Sequence, residues 1–325
     1  SLGIAPGSRQ ILLMLVQNGA LGDLLGAGGR IMESACTFCS GGEFSPKSAG
    51  VSIRTSNRNF EGRSGTKDAQ VYLASPEVAA VAAVTGKLAD PRKFGMAYPQ
   101  FEEPEQYIID DSMFLFPKPG IKDTSIFRGP NIGEPPRNEK MAQSLRGEVM
   151  IKLGDNVTTD HITPAGGRLK YRSNIPKSSE FVFENVDAAF SGRCLENKKQ
   201  GMHNLIVAAE SYGQGSSREH ASMCPMYLGV KAVVAKSFER IHTANLVNFG
   251  IMPLVFKNPA DYDKIEQGDR LLSDNWRDAV AAGKPVFLKN ERTGESIDCT
   301  YSLSEAQRAI VLVGGLLNYI NRAGK

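Results

Sequence analysis

The sequence predicts an α/β protein of two lobes joined by a long linker, and three observations predict it. Short apolar runs that read as strands alternate with strong helix-start signals on both sides of the chain's middle. The stretch 98–146 turns instead to Pro, Asp, Glu and Lys, including the run FPKPG at 116–120 and GPNIGEPP at 129–136, the composition of a connection that wraps between domains. A length of 325 residues fits two domains.

Taken in order, the chain opens with a helix-like run at 10–16, QILLMLV. Residues 50–55, GVSIRT, read as a strand running into the loop 56–63, SNRNFEGR, which places Arg58 and Arg63 at a strand end, where α/β proteins keep their ligand sites. Ser75, Pro76 and Glu77 start a helix with an N-cap, a proline at the first helical position and an early acid, and Gly86 ends it. After the linker a second α/β domain begins near Gly147. Its strands at 205–209, LIVAA, and 231–235, KAVVA, alternate with helices, and a last helix follows Ser304 and Glu305. There is no internal repeat or low-complexity tract.

Composition sets outer bounds. Apolar residues make up 41% and charged residues 22%, as in ordinary soluble globular proteins. No apolar run approaches the ~20 residues that a membrane-spanning helix needs. The first residues lack a signal peptide's basic start and apolar core, so a cytoplasmic setting without a membrane partner is expected. A net charge of +3, dispersed along the chain, gives no footprint for nucleic acid. The chain starts at Ser1 without an initiator Met and enters a helix-like run almost at once, as the interior of a longer protein does.

Three short segments carry chemistry. In the stretch 212–220, YGQGSSREH, Gly213 and Gly215 permit positive φ and close backbone approach, Ser216 or Ser217 is placed to cap a helix, and the free N–H groups of that helix start would face an anion beside Arg218. An ordinary capped turn is the plainer alternative. In the arginine loop, Arg58 and Arg63 stand five positions apart with Asn57 and Asn59 beside them, which suits a ligand with several carboxylates, each clasped by one guanidinium through two parallel hydrogen bonds; a solvated basic loop is the alternative there. Cys36 and Cys39 form a C-x-x-C pair able to present two thiolates to a metal or cluster, with a zinc site or a redox dithiol equally open at this point.

Together with GDNVTTDHITPAG at 154–166, AKSFERIH at 235–242 and NLVNFG at 245–250, these segments resemble the aconitase family, and the resemblance spans nearly the whole chain. It implies the C-terminal half of such a protein: residues 1–97 as the end of a partial three-layer α/β cluster-binding domain, 98–146 as the linker, and 147–325 as the mobile α/β swivel domain. The implied activity is that of a hydro-lyase, isomerising citrate and isocitrate through cis-aconitate at a 4Fe–4S cluster. The family holds that cluster with three cysteines, two of them paired as Cys36 and Cys39 are; the third lies well upstream, and no cysteine precedes Cys36 here. The isolated chain is therefore expected to be inactive, with N-terminal aconitase domains as its partner. The spacers Thr37 and Phe38 are bulkier than the small pair common in relatives.

By the same resemblance Ser216 is the base, an alkoxide in function, and each pKa unit of lowering it needs takes about 1.36 kcal/mol of differential stabilisation. Asp160 is a further acid of the site. Asn57, Arg58, Arg63, Arg172, Ser217 and Arg218 bind substrate. Arg172, twelve positions after Asp160, favours aconitase over isopropylmalate isomerase, which places an apolar group there; homoaconitase and isopropylmalate isomerase share the other loops and stay as alternatives. His161, His203, His220 and His242 are expected in structural roles, and Cys194, Cys224 and Cys299 as ordinary thiols. An alternative of another class is a degenerate or regulatory relative that binds carboxylates or RNA, against which stand the modest charge and the joint retention of Ser216, Arg218, Arg58, Arg63 and the paired cysteines.

Overall fold

A computed structural model of the chain describes all residues except 36, 39–42, 57, 58, 60, 121–124, 126, 165, 216, 217, 324 and 325, together with all but the side chains of 166, 169 and 323. The chain divides into two compact units, Ser1–Asp123 and Thr124–Lys325.

The first unit holds two small parallel sheets. Strand β1 (Leu2–Ile4) pairs with β2 (Gly29–Ile31), and helices α1 (Arg9–Gln17) and α2 (Ala20–Gly26) form the crossover between them. Ser8 caps α1 by accepting from the Ile11 N–H at 3.1 Å. Strand β3 (Val51–Arg54) pairs with β4 (Gln70–Leu73), the arginine loop lies between them, and α3 (Pro76–Thr85) follows. The start and stop signals act here as the sequence predicts: Ser75 accepts from the Val78 N–H, Pro76 opens the helix, and Gly86 closes it at a φ of 73° that a side chain would resist. Beyond a 3₁₀ turn at Pro91–Lys93, the described residues form no further regular element until β5 (Leu145–Leu153).

The second unit is built on a closed seven-stranded barrel. Its strands are β5, β6 (His203–Ala208), β7 (Val230–Ala235), β8 (Met252–Phe256), β9 (Arg270–Ser273), β10 (Val286–Asn290) and β11 (Ser296–Thr300), in the spatial order β10-β11-β8-β7-β6-β5-β9. Strands β5 to β8 run parallel, while β9, β10 and β11 close the circle through antiparallel pairs. Helices α4 (Thr159–Ile162), α5 (Ile175–Ser179), α6 (Phe190–Lys199), α7 (His220–Tyr227) and α8 (Arg240–Asn248) belong to the parallel half, and α9 (Trp276–Ala281), α10 (Glu305–Leu312) and α11 (Leu316–Ala323) come later. The mixed α/β class is as expected; closure of the sheet is an addition.

Parallel strands covered on both faces read as unbroken apolar runs, and β6 and β7 do so because alternate residues feed two cores. Ile206, Ala208, Val233 and Ala235 pack with Phe183, Phe190 and Leu246. Leu205, Val207, Val234 and Leu254 pack with Trp276, Leu288 and Val311. One polar staple interrupts this interior. Asn204, fully buried, donates to the carbonyls of Cys194 (2.9 Å) and Leu228 (2.7 Å) and accepts from Asn197 Nδ2 (2.7 Å), joining α6, β6 and the turn after α7.

Replacing Asn204 by Ala leaves two buried carbonyls and an amide without these partners, which costs at least about 2 kcal/mol. Urea unfolding followed through Trp276, the single tryptophan and itself buried in this unit, is expected to show that loss; a change within about 0.5 kcal/mol would mean the staple is dispensable.

Candidate functional site

The site of the second unit is assembled where β5, β6 and β7 end. The loop after β6 carries the glycine-rich motif, and its backbone is fastened to the loop after β5: Gly213 and Gln214 N–H both donate to the Val157 carbonyl, at 2.7 and 2.9 Å, and Thr159 N–H donates to the Gln214 carbonyl at 2.8 Å. The Gln214 side chain adds bonds to Asn156 Oδ1 (2.9 Å) and Ser211 Oγ (2.8 Å). The loop after β7 joins through Tyr212 N–H to the Ser237 carbonyl and Glu239 N–H to the Tyr212 carbonyl, both at 3.0 Å.

Both motif glycines are needed for their backbone. Gly213 and Gly215 take φ of 93° and 94°. At Gly213 a Cβ would fall 2.3 Å from Cγ of His242, so the loop can lie on that imidazole only as glycine. His242 is 2% exposed, and neither ring nitrogen has a hydrogen-bond partner among the described residues. Its role is structural, as predicted, but through packing against Tyr212 and Gly213 rather than through satisfied hydrogen bonds. Burial pushes its pKa down to about 4.

The fastened loops bring two predicted residues together. Arg218 Nη1 and Nη2 donate to Asp160 Oδ1 and Oδ2, the second at 3.1 Å, and Nη1 also reaches the Thr163 carbonyl at 3.4 Å. Such a fork-to-carboxylate pair fixes the plane of the guanidinium. Asp160 sits in α4, whose N-terminus is a capping box: Thr158 N–H donates to His161 Nδ1 and His161 N–H to Thr158 Oγ1, both at 3.1 Å. His161 is therefore a structural neighbour.

Arg172 comes to the same region by its backbone. His220 Nε2–H, at the start of α7, donates to the Arg172 carbonyl at 2.7 Å, while the Arg172 side chain is exposed. The preceding 3₁₀ segment Gly166–Tyr171 is held by Arg168, which pairs with both oxygens of Glu184 (3.0 and 2.9 Å) and lies 4.0 Å over the Phe181 ring. One expectation needs correcting. Helix α7 begins at His220 with Glu219 at its N-cap and no side-chain cap, later than a cap by Ser216 or Ser217 would place it; Arg218, just before the cap, is engaged with Asp160 instead.

Ser216, Ser217, Asn57, Arg58, Cys36 and Cys39 lie outside the described residues. Arg63 belongs to the first unit and is half-buried. Asn59, beside it in the loop, donates to the Val71 carbonyl of β4. Cys194, Cys224 and Cys299 are buried, and burial pushes each thiol's pKa up, consistent with core thiols and not with ligands. Among the described residues no group of three or more His, Cys, Asp or Glu could hold a metal ion, and no helix is long and apolar enough to cross a membrane.

Sequence reasoning missed Arg54. It ends β3 at 7% exposure, and its guanidinium donates to the carbonyls of Phe38 (2.6 Å) and Phe44 (2.8 Å) and, through Nε, to Ser52 Oγ (3.1 Å). The one available signal was a charged residue inside an otherwise apolar strand.

Comparison with known proteins adds the following. A family model described as the aconitase family (aconitate hydratase) matches residues 1–86, and one described as the aconitase C-terminal domain matches residues 149–259. A probable mitochondrial aconitate hydratase of Dictyostelium discoideum is 32% identical over 364 residues, covering 98% of this chain and 47% of the relative. A mitochondrial homocitrate dehydratase of Saccharomyces cerevisiae is 29% identical over 371 residues, covering 98% and 46%. A solved 3-isopropylmalate dehydratase of Methanocaldococcus jannaschii aligns with 56% of this chain and 95% of its own at 29% identity and a TM-score of 0.43. The chain spans about half the length of the curated relatives it matches. The mitochondrial names overturn the cytoplasmic setting expected from the sequence and point to mitochondria; the lack of a secretory-signal pattern, on which that expectation rested, does not discriminate among intracellular compartments.

The buried imidazole makes stability depend on pH. His242 stays neutral in the folded state down to about 4, whereas the unfolded chain takes up its proton near the ordinary 6.5. The contribution is fully present above pH 6.5 and is lost as pH falls from there towards 4, by at most about 1.4 kcal/mol per unit. Between pH 7 and 5 the unfolding free energy read by Trp276 fluorescence is expected to drop by roughly 2 kcal/mol more in the native chain than in His242→Phe. Parallel pH profiles would show that this histidine titrates normally.

Proposed function

This chain belongs to the aconitase family, and from that premise we propose that it forms the C-terminal half of an aconitate hydratase that interconverts citrate and isocitrate through cis-aconitate. The observation that carries the proposal is the Asp160–Arg218 pair, which holds a guanidinium in a fixed plane at the end of the glycine-hinged loop, two positions after Ser216 in sequence. In this reading Ser216 removes the proton beside a substrate carboxylate. Arg218 and Ser217 stabilise the negative charge that develops there, as preorganised donors do when they are fixed before the reaction. Arg172, exposed beside α7, takes a further carboxylate, and Asn57, Arg58 and Arg63 are further substrate-binding residues in this reading.

The proposal includes the division into the end of the cluster-binding domain (1–97), the linker (98–146) and the swivel domain (147–325). Support comes from the absence of regular elements between Pro91–Lys93 and Leu145–Leu153 among the described residues. The family's 4Fe–4S cluster, when bound, supplies a Lewis-acidic iron for the substrate hydroxyl and carboxylate. The donor set this chain offers it is the thiolate pair of Cys36 and Cys39, which suits part of a cluster's ligation and leaves one thiolate to come from the N-terminal domains. A homocitrate-type or isopropylmalate-type substrate is the second reading, motivated by the homocitrate dehydratase relative; Arg172 favours a ligand with a further carboxylate over one with an apolar group.

The deciding experiment is anaerobic iron–sulfur reconstitution of the chain with and without an aconitase N-terminal half, followed by an assay of cis-aconitate formed from isocitrate. Turnover is expected only with the added half, and Ser216→Ala in that assembly is expected to lower kcat by roughly 10²–10⁴-fold while isocitrate binding changes little. Near-normal turnover in the variant would remove Ser216 from the base role, and no turnover in any native assembly would remove the hydratase reading.

A further inference from the structure

We propose that His220 is a positioning residue for substrate: its bond to the Arg172 carbonyl sets how the Arg172 backbone stands relative to Arg218. These are the two arginines of the second unit that the proposed function assigns to substrate carboxylates, and the inference rests on that reading. The path between them is short. Arg218 is locked to both oxygens of Asp160, Glu219 follows at the N-cap, and His220 opens α7, where its Nε2–H donates to the Arg172 carbonyl at 2.7 Å.

The other ties of the Arg172 turn lead elsewhere. Tyr171 stacks on Phe181 with ring centroids 5.5 Å apart, and its carbonyl accepts from Asn174 N–H at 2.8 Å. The Ser173 carbonyl accepts from Gly133 N–H at 2.9 Å, and Asn174 Oδ1 caps α5 by accepting from Lys177 N–H at 3.1 Å. These contacts give the turn its shape without relating it to Arg218. Among the described residues, the His220 bond is the one hydrogen bond that joins the segment 166–174 to α7.

An imidazole suits this task. A carbonyl can only accept, so Nε2 carries the proton, and a ring on two side-chain torsions leaves its donor few ways to move. The acceptor is backbone, so the exposed Arg172 guanidinium takes no part in the bond. Fixing the root of an exposed arginine before the ligand arrives lowers the ordering cost paid on binding. A fixed spacing between two guanidiniums also favours a ligand whose carboxylates match it.

The test measures citrate affinity by calorimetry in the reconstituted assembly of this chain with an aconitase N-terminal half. His220→Phe and His220→Asn, which lack a donor that reaches the carbonyl, are expected to raise Kd roughly three- to tenfold, the loss of one hydrogen bond. His220→Gln, whose amide nitrogen reaches as far as Nε2, should recover most of the affinity. Added to Arg172→Ala, His220→Phe should change Kd less than about twofold, because His220 acts through Arg172. A merely structural histidine would weaken binding by the same factor in both backgrounds, and that additivity overturns the proposal. Native affinity in both His220→Phe and His220→Asn, native affinity in Arg172→Ala, or no recovery in His220→Gln overturns it as well. If hydrogen exchange over β6 and β7 rises in His220→Phe, that variant is damaged as a whole and the cycle is repeated with His220→Asn. Turnover separates this inference from the hydratase reading. An assembly that shows the non-additive pattern but forms no cis-aconitate from isocitrate defeats that reading and leaves the role of His220 standing. Normal turnover with additive effects does the reverse, and an assembly that binds no citrate defeats both.

Discussion

Everything in the site of the second unit follows from one close approach, the seating of Gly213 against the side chain of His242. The backbone there lies where any side chain would collide with the imidazole, at a φ of 93° that L-residues resist. Because the loop can descend that far, the N–H groups of Gly213 and Gln214 reach the Val157 carbonyl, and the chain after β6 becomes continuous in hydrogen bonding with the chain after β5. Asp160 and Arg218 are 58 positions apart in sequence, and this contact brings their segments together. A fully buried imidazole with unbonded nitrogens is an expensive floor for a loop.

The electrostatics of the site build on that frame. Arg218 is a quarter exposed in its side chain and Asp160 more than a third, so their pairing contributes little net stability once solvent screening and desolvation are weighed. Orientation is its chief consequence. A guanidinium has five donors; Asp160 takes two and the Thr163 carbonyl a third, which leaves the remainder facing a direction that the pair itself defines. The His161 capping box and the His220 bond to the Arg172 carbonyl act in the same way one step further out, fixing backbone so that charged side chains start from set positions.

How much of this was legible in the sequence depends on the distance over which each feature is decided. Ser75, Pro76 and Gly86 act within a few residues, and they bound α3 as read; Ser304 likewise caps α10, in a box completed by Gln307. The glycines of the 212–220 stretch announced positive φ, and both have it. Closure of the barrel was not legible, since it depends on β9 pairing with both β5 and β10, a tertiary event with no local signature. The start of α7 was placed too early because a serine cap is a local preference, and the reach of Arg218 to Asp160 outweighs it. Arg54 was hidden for the opposite reason: its partners are backbone carbonyls, which every residue has, at positions 10 and 16 earlier in the chain.

The contrast between Arg54 and Arg172 separates a buried structural arginine from an exposed one that the proposed function assigns to substrate. Both have the same five donors and the same permanent charge, so residue type alone cannot sort them. Burial and the identity of the acceptors can. Arg54 is withdrawn from solvent, its charge is met by neutral carbonyl dipoles, and burial lowers its pKa from the ordinary value. Arg172 is exposed, and its place in the fold is fixed by its own carbonyl rather than by its side chain. A side chain anchored by its backbone keeps its donors for an incoming anion, and the cost of ordering it falls on the moment of binding. Arg218 lies between these limits, oriented in advance by Asp160 yet partly open to solvent. Under the proposed function a multi-carboxylate ligand would use both kinds: a preoriented guanidinium where charge develops, and an exposed one for a distal carboxylate.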